Sequence, residues 1–399
     1  MTDSGGAMPG QGRAWGLAGI NAAASLFLLG LFAVNSVAPA TAADCTAHGI
    51  DFEVFRAAGQ LALAGNPLAV FDQSALRDLV SDCGDGWLPW LHPAPVLTLM
   101  TPFGLLPLTV AWLAFNALSL VALGLSLRPF TAGLTPLWLA VLLAPALLPA
   151  LLAGQVTLLW MAGLLGALAA LRQGATGLAG VLIGCLTLKP TLGLMIPAAL
   201  LGIGAWRTIL VATATTLGLH GGATLLYGAG YWPALGDLYA THATAALAEL
   251  GTAGTMTSAA ALLARLGIAP DMAANLNLGL AAALFAVVFL VWRRLGAGSD
   301  AAAATLVAAI PLATPYLWHY DSAFLALSAL FLLRCMRTRP DAATVVLVPL
   351  LWLGAGLPLW LTATGLSGAV TPALVVPPLL LLAFGATLPH SLKSHAPKD

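Results

Sequence analysis

From Trp15 to Val37 the chain carries no charged residue, and runs of the same kind recur to its far end. Nothing constrains the fold more. A helix needs roughly 20 mainly apolar residues to cross ~30 Å of hydrocarbon, and a spanning segment must satisfy its backbone internally. Further runs lie near Leu105–Leu127, Leu134–Leu152, Val156–Leu171, Leu178–Leu188, Leu192–Ile203, Ile209–Tyr227, Leu276–Trp292, Ala301–Leu317, Phe324–Leu333, Thr344–Leu361 and Pro372–Leu388. Hydrophobic residues make up 60% of the chain and charged ones 8%, with a mean hydropathy of +0.95. This composition argues against a soluble enzyme and for an all-α polytopic membrane protein, a bundle of about 10–12 transmembrane helices. The first run ends near Ala40-Thr41-Ala42, which resembles a signal-peptide cleavage site. Its length favours an uncleaved first span. Residues 1–399 read as one integral membrane domain with polar tails at 1–12 and 391–399.

Charge placement orients the bundle. If each run crosses once, Arg13, Arg128, Arg172, Arg207, Arg293, Arg294, Arg334, Arg337, Arg339, Lys393 and Lys398 share one side, the cytoplasmic one by the positive-inside rule. The two short runs flanking Lys189-Pro190 must count as separate crossings, since merging them would put the later basic loops outside. The outer side then receives the loops 39–92 and 228–271, together with Gly154-Gln155, Lys189-Pro190 and Trp318-His319-Tyr320-Asp321. Every polar cluster fit for chemistry gathers on that face.

In the first outer loop, the stretch Asp51–Pro67 has helical periodicity: Phe52, Phe55, Ala58 or Gly59, and Ala62 or Leu63 line one face, with Glu53, Arg56 and Gln60 turned away. Gly65 and Pro67 stop this short interfacial helix. Asp51 is either a capping carboxylate or a chemical one. A second short helix is expected from Asp72, and Cys45 and Cys83 bracket both, either as free thiols or as a disulfide. Gln155 precedes a helix N-terminus suited to an anion, or serves as an interhelical hydrogen-bonding residue. Lys189, beside a helix-breaking proline, needs a counter-anion or a path to water. His319 sits among interfacial aromatics, where a solvated imidazole is the plainer reading. Metal-ligand spacings and glycine-rich phosphate loops are absent from the sequence, so no metal or other cofactor is called for.

Four stretches, in order, resemble the signature of glycosyltransferase family 87, membrane-embedded enzymes of the GT-C class. They are Asp51-Phe52-Glu53-Val54-Phe55 with Gly65-Asn66-Pro67, then Gly154-Gln155-Val156-Thr157, then Lys189-Pro190-Thr191, then Thr314-Pro315 with Trp318-His319-Tyr320. Trp90-Leu91-His92-Pro93-Ala94-Pro95 keeps the family's prolines only at a looser spacing. The resemblance implies a GT-C-like bundle, an outward-facing active site, and an essential acidic residue that maps onto Asp51. It also implies a polyprenyl-phosphate sugar donor, mannose being the best-known sugar, a lipid or glycan acceptor, and residence in a bacterial inner membrane among its lipids, with no nucleic-acid partner. Transfer from a lipid phosphate needs a base for the acceptor hydroxyl, assigned to Asp51, and groups to stabilise the phosphate. Lys189, Gln155, His319 and Arg265 are the candidates for phosphate and substrate binding. The competing reading is a transporter or lipid flippase that contacts its substrate through Lys189 and Gln155.

Overall fold

The computed structural model describes residues 11–37, 50–80, 89–131, 135–253, 255–336, 351–352 and 371–385. The Cys45–Cys83 pair and most of the Thr344–Leu361 run lie outside them. Over the described residues the chain is built from helices, and extended pairing is confined to a bridge between Met256 and Trp318. The multi-pass, all-helical class expected from composition is what the chain adopts. Five segments are long and apolar enough to cross a membrane: Ala14–Leu31, Leu108–Thr131, Pro136–Ala153, Trp206–Tyr227 and Pro270–Leu295. The remaining apolar helices are shorter, among them Thr157–Arg172, Thr176–Leu188, Pro190–Gly202 and Asp300–Ala313.

In chain order the elements used below are α1 (Gln11–Val37), α2 (Ile50–Leu63), α3 (Gln73–Arg77), α4 (Ala94–Met100), α5 (Leu108–Thr131), α6 (Thr135–Leu142), α7 (Leu148–Ala153), α8 (Thr157–Arg172), α9 (Thr176–Cys185), α10 (Ile196–Gly202), α11 (Trp206–Tyr227), α12 (Tyr231–Glu249), α13 (Ala259–Arg265), α14 (Pro270–Leu295), α15 (Asp300–Ala313) and α16 (Phe324–Met336). The helix α1 belongs to the bundle: Asn21 Nδ2 donates to the Ala140 carbonyl at 2.6 Å and Ser25 Oγ to that of Leu143 at 2.7 Å. Buried side-chain bonds of this kind hold helices together where lipid supplies no hydrophobic drive.

Whether the chain doubles back at Lys189-Pro190 is decided by α9 and α11. Thr208 Oγ1 donates to the Thr176 carbonyl and Thr216 Oγ1 to that of Gly184, both pairs 32 residues apart. A constant offset means that the two helices run in the same direction, so the chain between them turns back. It does so at Lys189-Pro190, between two 3₁₀ turns, Leu186–Leu188 and Pro190–Gly193. The close parallel contact depends on glycine: a Cβ on Gly180 would fall 2.6 Å from Val211 Cβ, and one on Gly184 2.5 Å from Thr215 Cβ.

One end of the bundle is tied by charge. Asp300 Oδ1, at the start of α15, pairs with Arg172 Nη1 from the end of α8 and with Arg334 Nε from α16, each at 2.9 Å. Arg334 also donates to the Phe130 carbonyl at the end of α5. These are residues that charge placement assigns to the cytoplasmic side, and α8 runs from them to the opposite end, where Thr157 meets the remaining polar residues.

The 39–92 and 228–271 loops hold more helix than their polarity suggests. The 39–92 loop forms α2, stopped after Leu63 with Gly65 at φ +78, and α3, capped by Asp72, whose carboxylate accepts from Ser74 N. The 228–271 loop is largely α12 and α13. Helix α4 was not expected from the apolar runs, because prolines interrupt its sequence; Pro95 falls at its first turn, where a missing N–H costs nothing.

Candidate active site

The apolar face of α2 is what fixes Asp51. Phe52, Phe55, Ala57 and Ala58 are buried, with Phe52 on Phe115 at 5.4 Å between ring centroids and Phe55 on His92 at 4.9 Å and Trp90 at 5.9 Å. Each buried Phe contributes roughly 1.5–3 kcal/mol, so the helix is anchored on its aromatic side. Asp51 lies in its first turn. Its Oδ2 accepts a hydrogen bond from Gln155 Nε2 at 2.6 Å, across 104 residues of sequence.

Gln155 can reach Asp51 because Gly154 ends α7 in the left-handed conformation, φ +70. Any side chain there is strained, and a Cβ would also fall 2.6 Å from Phe52 Cβ and 3.0 Å from Trp112 Cδ1. The neighbour of Asp51 thus packs directly on the glycine that turns the chain into Gln155. Gln155 is 5% exposed, and its Oε1 is buried without a hydrogen-bond partner among the described residues.

Two residues further on, Thr157 Oγ1 donates to Asp321 Oδ1 at 2.6 Å. Asp321 is 2% exposed and receives the Lys189 ammonium on both oxygens, at 2.6 and 2.7 Å. Lys189 Nζ also stands 4.6 Å from the centroid of the Tyr320 ring. The counter-anion that Lys189 requires is therefore Asp321. In the sequence Asp321 stands out only as one outer acid among several, although Trp318-His319-Tyr320-Asp321 was a recognisable cluster.

Burial raises the Asp51 carboxyl above its ordinary value; the Gln155 hydrogen bond and the Lys189 charge oppose the rise, and the Asp321 charge adds to it. The Tyr320 phenol is pushed well up by burial and then by the charges of Asp51 and Asp321, which places it near both carboxylates. Burial lowers His319 to about 4, and burial with the Lys189 charge lowers His92 to about 3, so both rings are neutral at physiological pH. His319 is held by its backbone, N–H to the Thr255 carbonyl at 2.8 Å, while its Nδ1 is buried without a partner among the described residues. His92, which sequence reading passed over, joins the site through Phe55 and the field of Lys189.

Of the candidates read from sequence, Asp51, Gln155 and Lys189 come together as one cluster, and His319 enters it through the adjoining Tyr320 and Asp321. Arg265 is placed differently. Its Nη2 donates to the Ala253 carbonyl at 2.5 Å, bracing the loop that carries Thr255 and Met256 against Trp318 and His319. The bond from Gln155 Nε2 to Asp51 fits the interhelical hydrogen-bonding alternative for this glutamine.

The family description of glycosyltransferase family 87 matches residues 90–315, more than half of the chain. The chain belongs to glycosyltransferase family 87. As a family 87 member it is a membrane glycosyltransferase, with a sugar donor and an acceptor as its substrates. The matched region holds Gln155, Thr157 and Lys189, begins after Asp51 and ends before His319. No curated protein and no solved structure matches the chain.

Proposed function

We propose that this family 87 enzyme moves a hexose, with mannose the first to test, from a polyprenyl-phosphate donor to a lipid or glycan acceptor. Transfer takes place on the outer, periplasmic face of a bacterial inner membrane, with Asp51 as general base. The observation that carries the reading is the pairing of Asp51 with Gln155 beside the Lys189–Asp321 ion pair. A carboxylate with a raised pKa, held in one orientation, is suited to accept a proton as the acceptor hydroxyl attacks the anomeric carbon. The bond from that carbon to the phosphate oxygen breaks, the phosphate leaves as a weak base, and the proton stays on Asp51.

The phosphate meets mostly neutral donors in this scheme. Lys189 and Asp321 cancel, and two of the three ammonium N–H groups are committed to the carboxylate. The third, together with the neutral His319 ring, is left to stabilise charge growing on the leaving group. In this scheme Arg265, bonded through Nη2 to the Ala253 carbonyl, supports the loop behind His319. Membership of family 87 argues against the transporter reading, and Lys189 with Asp321 gives that lysine a reason to be buried without a translocation path.

The test is transfer of radiolabelled mannose from a short-chain polyprenyl-phosphate mannose by purified protein in nanodiscs with added membrane lipid. Transfer by wild type, lost in Asp51→Asn with donor binding intact, supports the assignment. Near-normal turnover in Asp51→Asn removes Asp51 as base. Release of labelled sugar only from a nucleotide sugar would replace the donor class.

A further inference from the structure

The bond between Gln155 and Asp51 uses one end of the amide and leaves the other unexplained. Nε2 is turned to Asp51 Oδ2, and the opposite amide orientation would set Oε1 against a carboxylate oxygen. Oε1 is therefore held in place beside the base, buried, with no partner among the described residues. Leaving a buried acceptor unpaired costs about 1–3 kcal/mol, so native structures rarely keep one without a use. Gln155 itself is rigid: Gly154 fixes its backbone, and its N–H donates to the Ala150 carbonyl at 3.0 Å. An acceptor hydroxyl beside the one that Asp51 is proposed to deprotonate could supply the missing donor.

We infer that Gln155 Oε1 accepts the hydroxyl adjacent to the attacking one, so that Asp51 and Gln155 together grip a vicinal diol of the acceptor. The acceptor is then a sugar or polyol ring, and a simple alcohol would be a poor one. This rests on Asp51 as the base, and it deepens that reading by assigning the acceptor's chemical class and the residue that reads it. One amide does both tasks: Nε2 bonds to Asp51 and aligns it, and Oε1 orients the nucleophile against it. A site built to hydrogen-bond a hydroxyl rejects the analogue lacking it far more strongly than an apolar pocket rejects an extra one.

The experiment uses the full-length enzyme in nanodiscs, a polyprenyl-phosphate mannose donor, and octyl α-mannoside with its four monodeoxy derivatives as acceptors. Wild type is expected to lose at least about 10-fold in kcat/KM with one deoxy acceptor beyond the one lacking the attacking hydroxyl. Gln155→Met, similar in shape and without the acceptor oxygen, should lower transfer to the parent acceptor and abolish that discrimination. Gln155→Glu keeps an oxygen at Oε1 and sets a carboxylate beside Asp51. It should retain discrimination while moving the acid limb of the pH–rate profile to higher pH. Equal discrimination in wild type and Gln155→Met overturns the inference, as does wild-type turnover of octanol comparable with that of the glycosides or failure to use any glycoside in the panel. Each comparison is made with Asp51 intact, so a failure of the base assignment, read from Asp51→Asn, is seen separately.

Discussion

Removing one member of the Lys189–Asp321 pair tests whether this lysine is a buried scaffold charge or a tool. The ammonium lies 2.6 and 2.7 Å from the two carboxylate oxygens, with side-chain exposures of 13% and 3%, and Thr157 supplies a further bond to Oδ1. Both charges are largely out of water, so Asp321→Leu strands an ammonium and Lys189→Met strands a carboxylate. Breaking such a pair from one side costs about 3–5 kcal/mol, whereas replacing both partners with apolar groups is often close to neutral. Against total stabilities of about 5–15 kcal/mol, either single change should lower the thermal midpoint by several degrees. The double variant Lys189→Met/Asp321→Leu should recover most of that loss. Midpoints of purified variants in detergent report this, and sugar transfer is measured on the same samples. If Lys189 also faces the phosphate, the stable double variant remains inactive. Recovery of both stability and transfer would reduce the pair to scaffold. Single variants as stable as wild type would refute the claim that the charges are desolvated.

Asp51→Asn should cost about 10²-fold or more in transfer rate, the usual contribution of a general base, with the thermal midpoint little changed and donor binding retained. Gly154→Ala should abolish transfer and lower expression, because the new Cβ meets Phe52 and the φ of +70 disfavours alanine; wild-type transfer by this variant would contradict the packing. His319 is lowered to about 4 from an ordinary 6.5, a difference of about 3 kcal/mol that is fully present above pH 6.5 and lost as pH falls towards 4. His92 acts in the same sense and Asp51, whose pKa is raised, in the opposite one, so His319→Asn should flatten the acid loss measured by thermal denaturation. In a variant lacking the four native cysteines, an impermeant thiol reagent on intact spheroplasts should label Gly65→Cys and spare Arg293→Cys; the reverse pattern would invert the orientation.

What the sequence disclosed was local. The α2 periodicity, its stop at Gly65, the Asp72 cap and the break at Lys189-Pro190 each depend on residues a turn or two apart, and each is found. The doubling back at Lys189 was legible because loop charges obey a global rule that needs no contact map. The partners were not legible. Gln155 and Asp51 are separated by 104 residues and Lys189 and Asp321 by 132, and nothing in either neighbourhood encodes the other. Packing decides them, through α2 seated on Gly154 and through the α7–α8 junction, which presents Gln155 to one carboxylate and Thr157 to the other. Arg265 carried the same cationic signal as Lys189, and only its position beside Ala253 separates a brace from a member of the cluster.

The length of α8 sets the depth of the chemistry. From Thr157, which touches Asp321, to Arg172, which touches Asp300, a helix rising 1.5 Å per residue covers roughly 22 Å. A typical hydrocarbon slab is ~30 Å thick. The two polar layers that α8 joins are closer together than the headgroup planes of an undeformed bilayer, so one or both lie below the surface, or the lipid pinches in around the protein. With Arg172 set at one boundary, where charge placement expects it, Asp321 and Lys189 would sit several ångströms beneath the other. The lipid-phosphate donor proposed above would then be drawn down out of its own leaflet to react. Turnover becomes sensitive to acyl-chain length, fastest in thin bilayers and slowed as the membrane thickens.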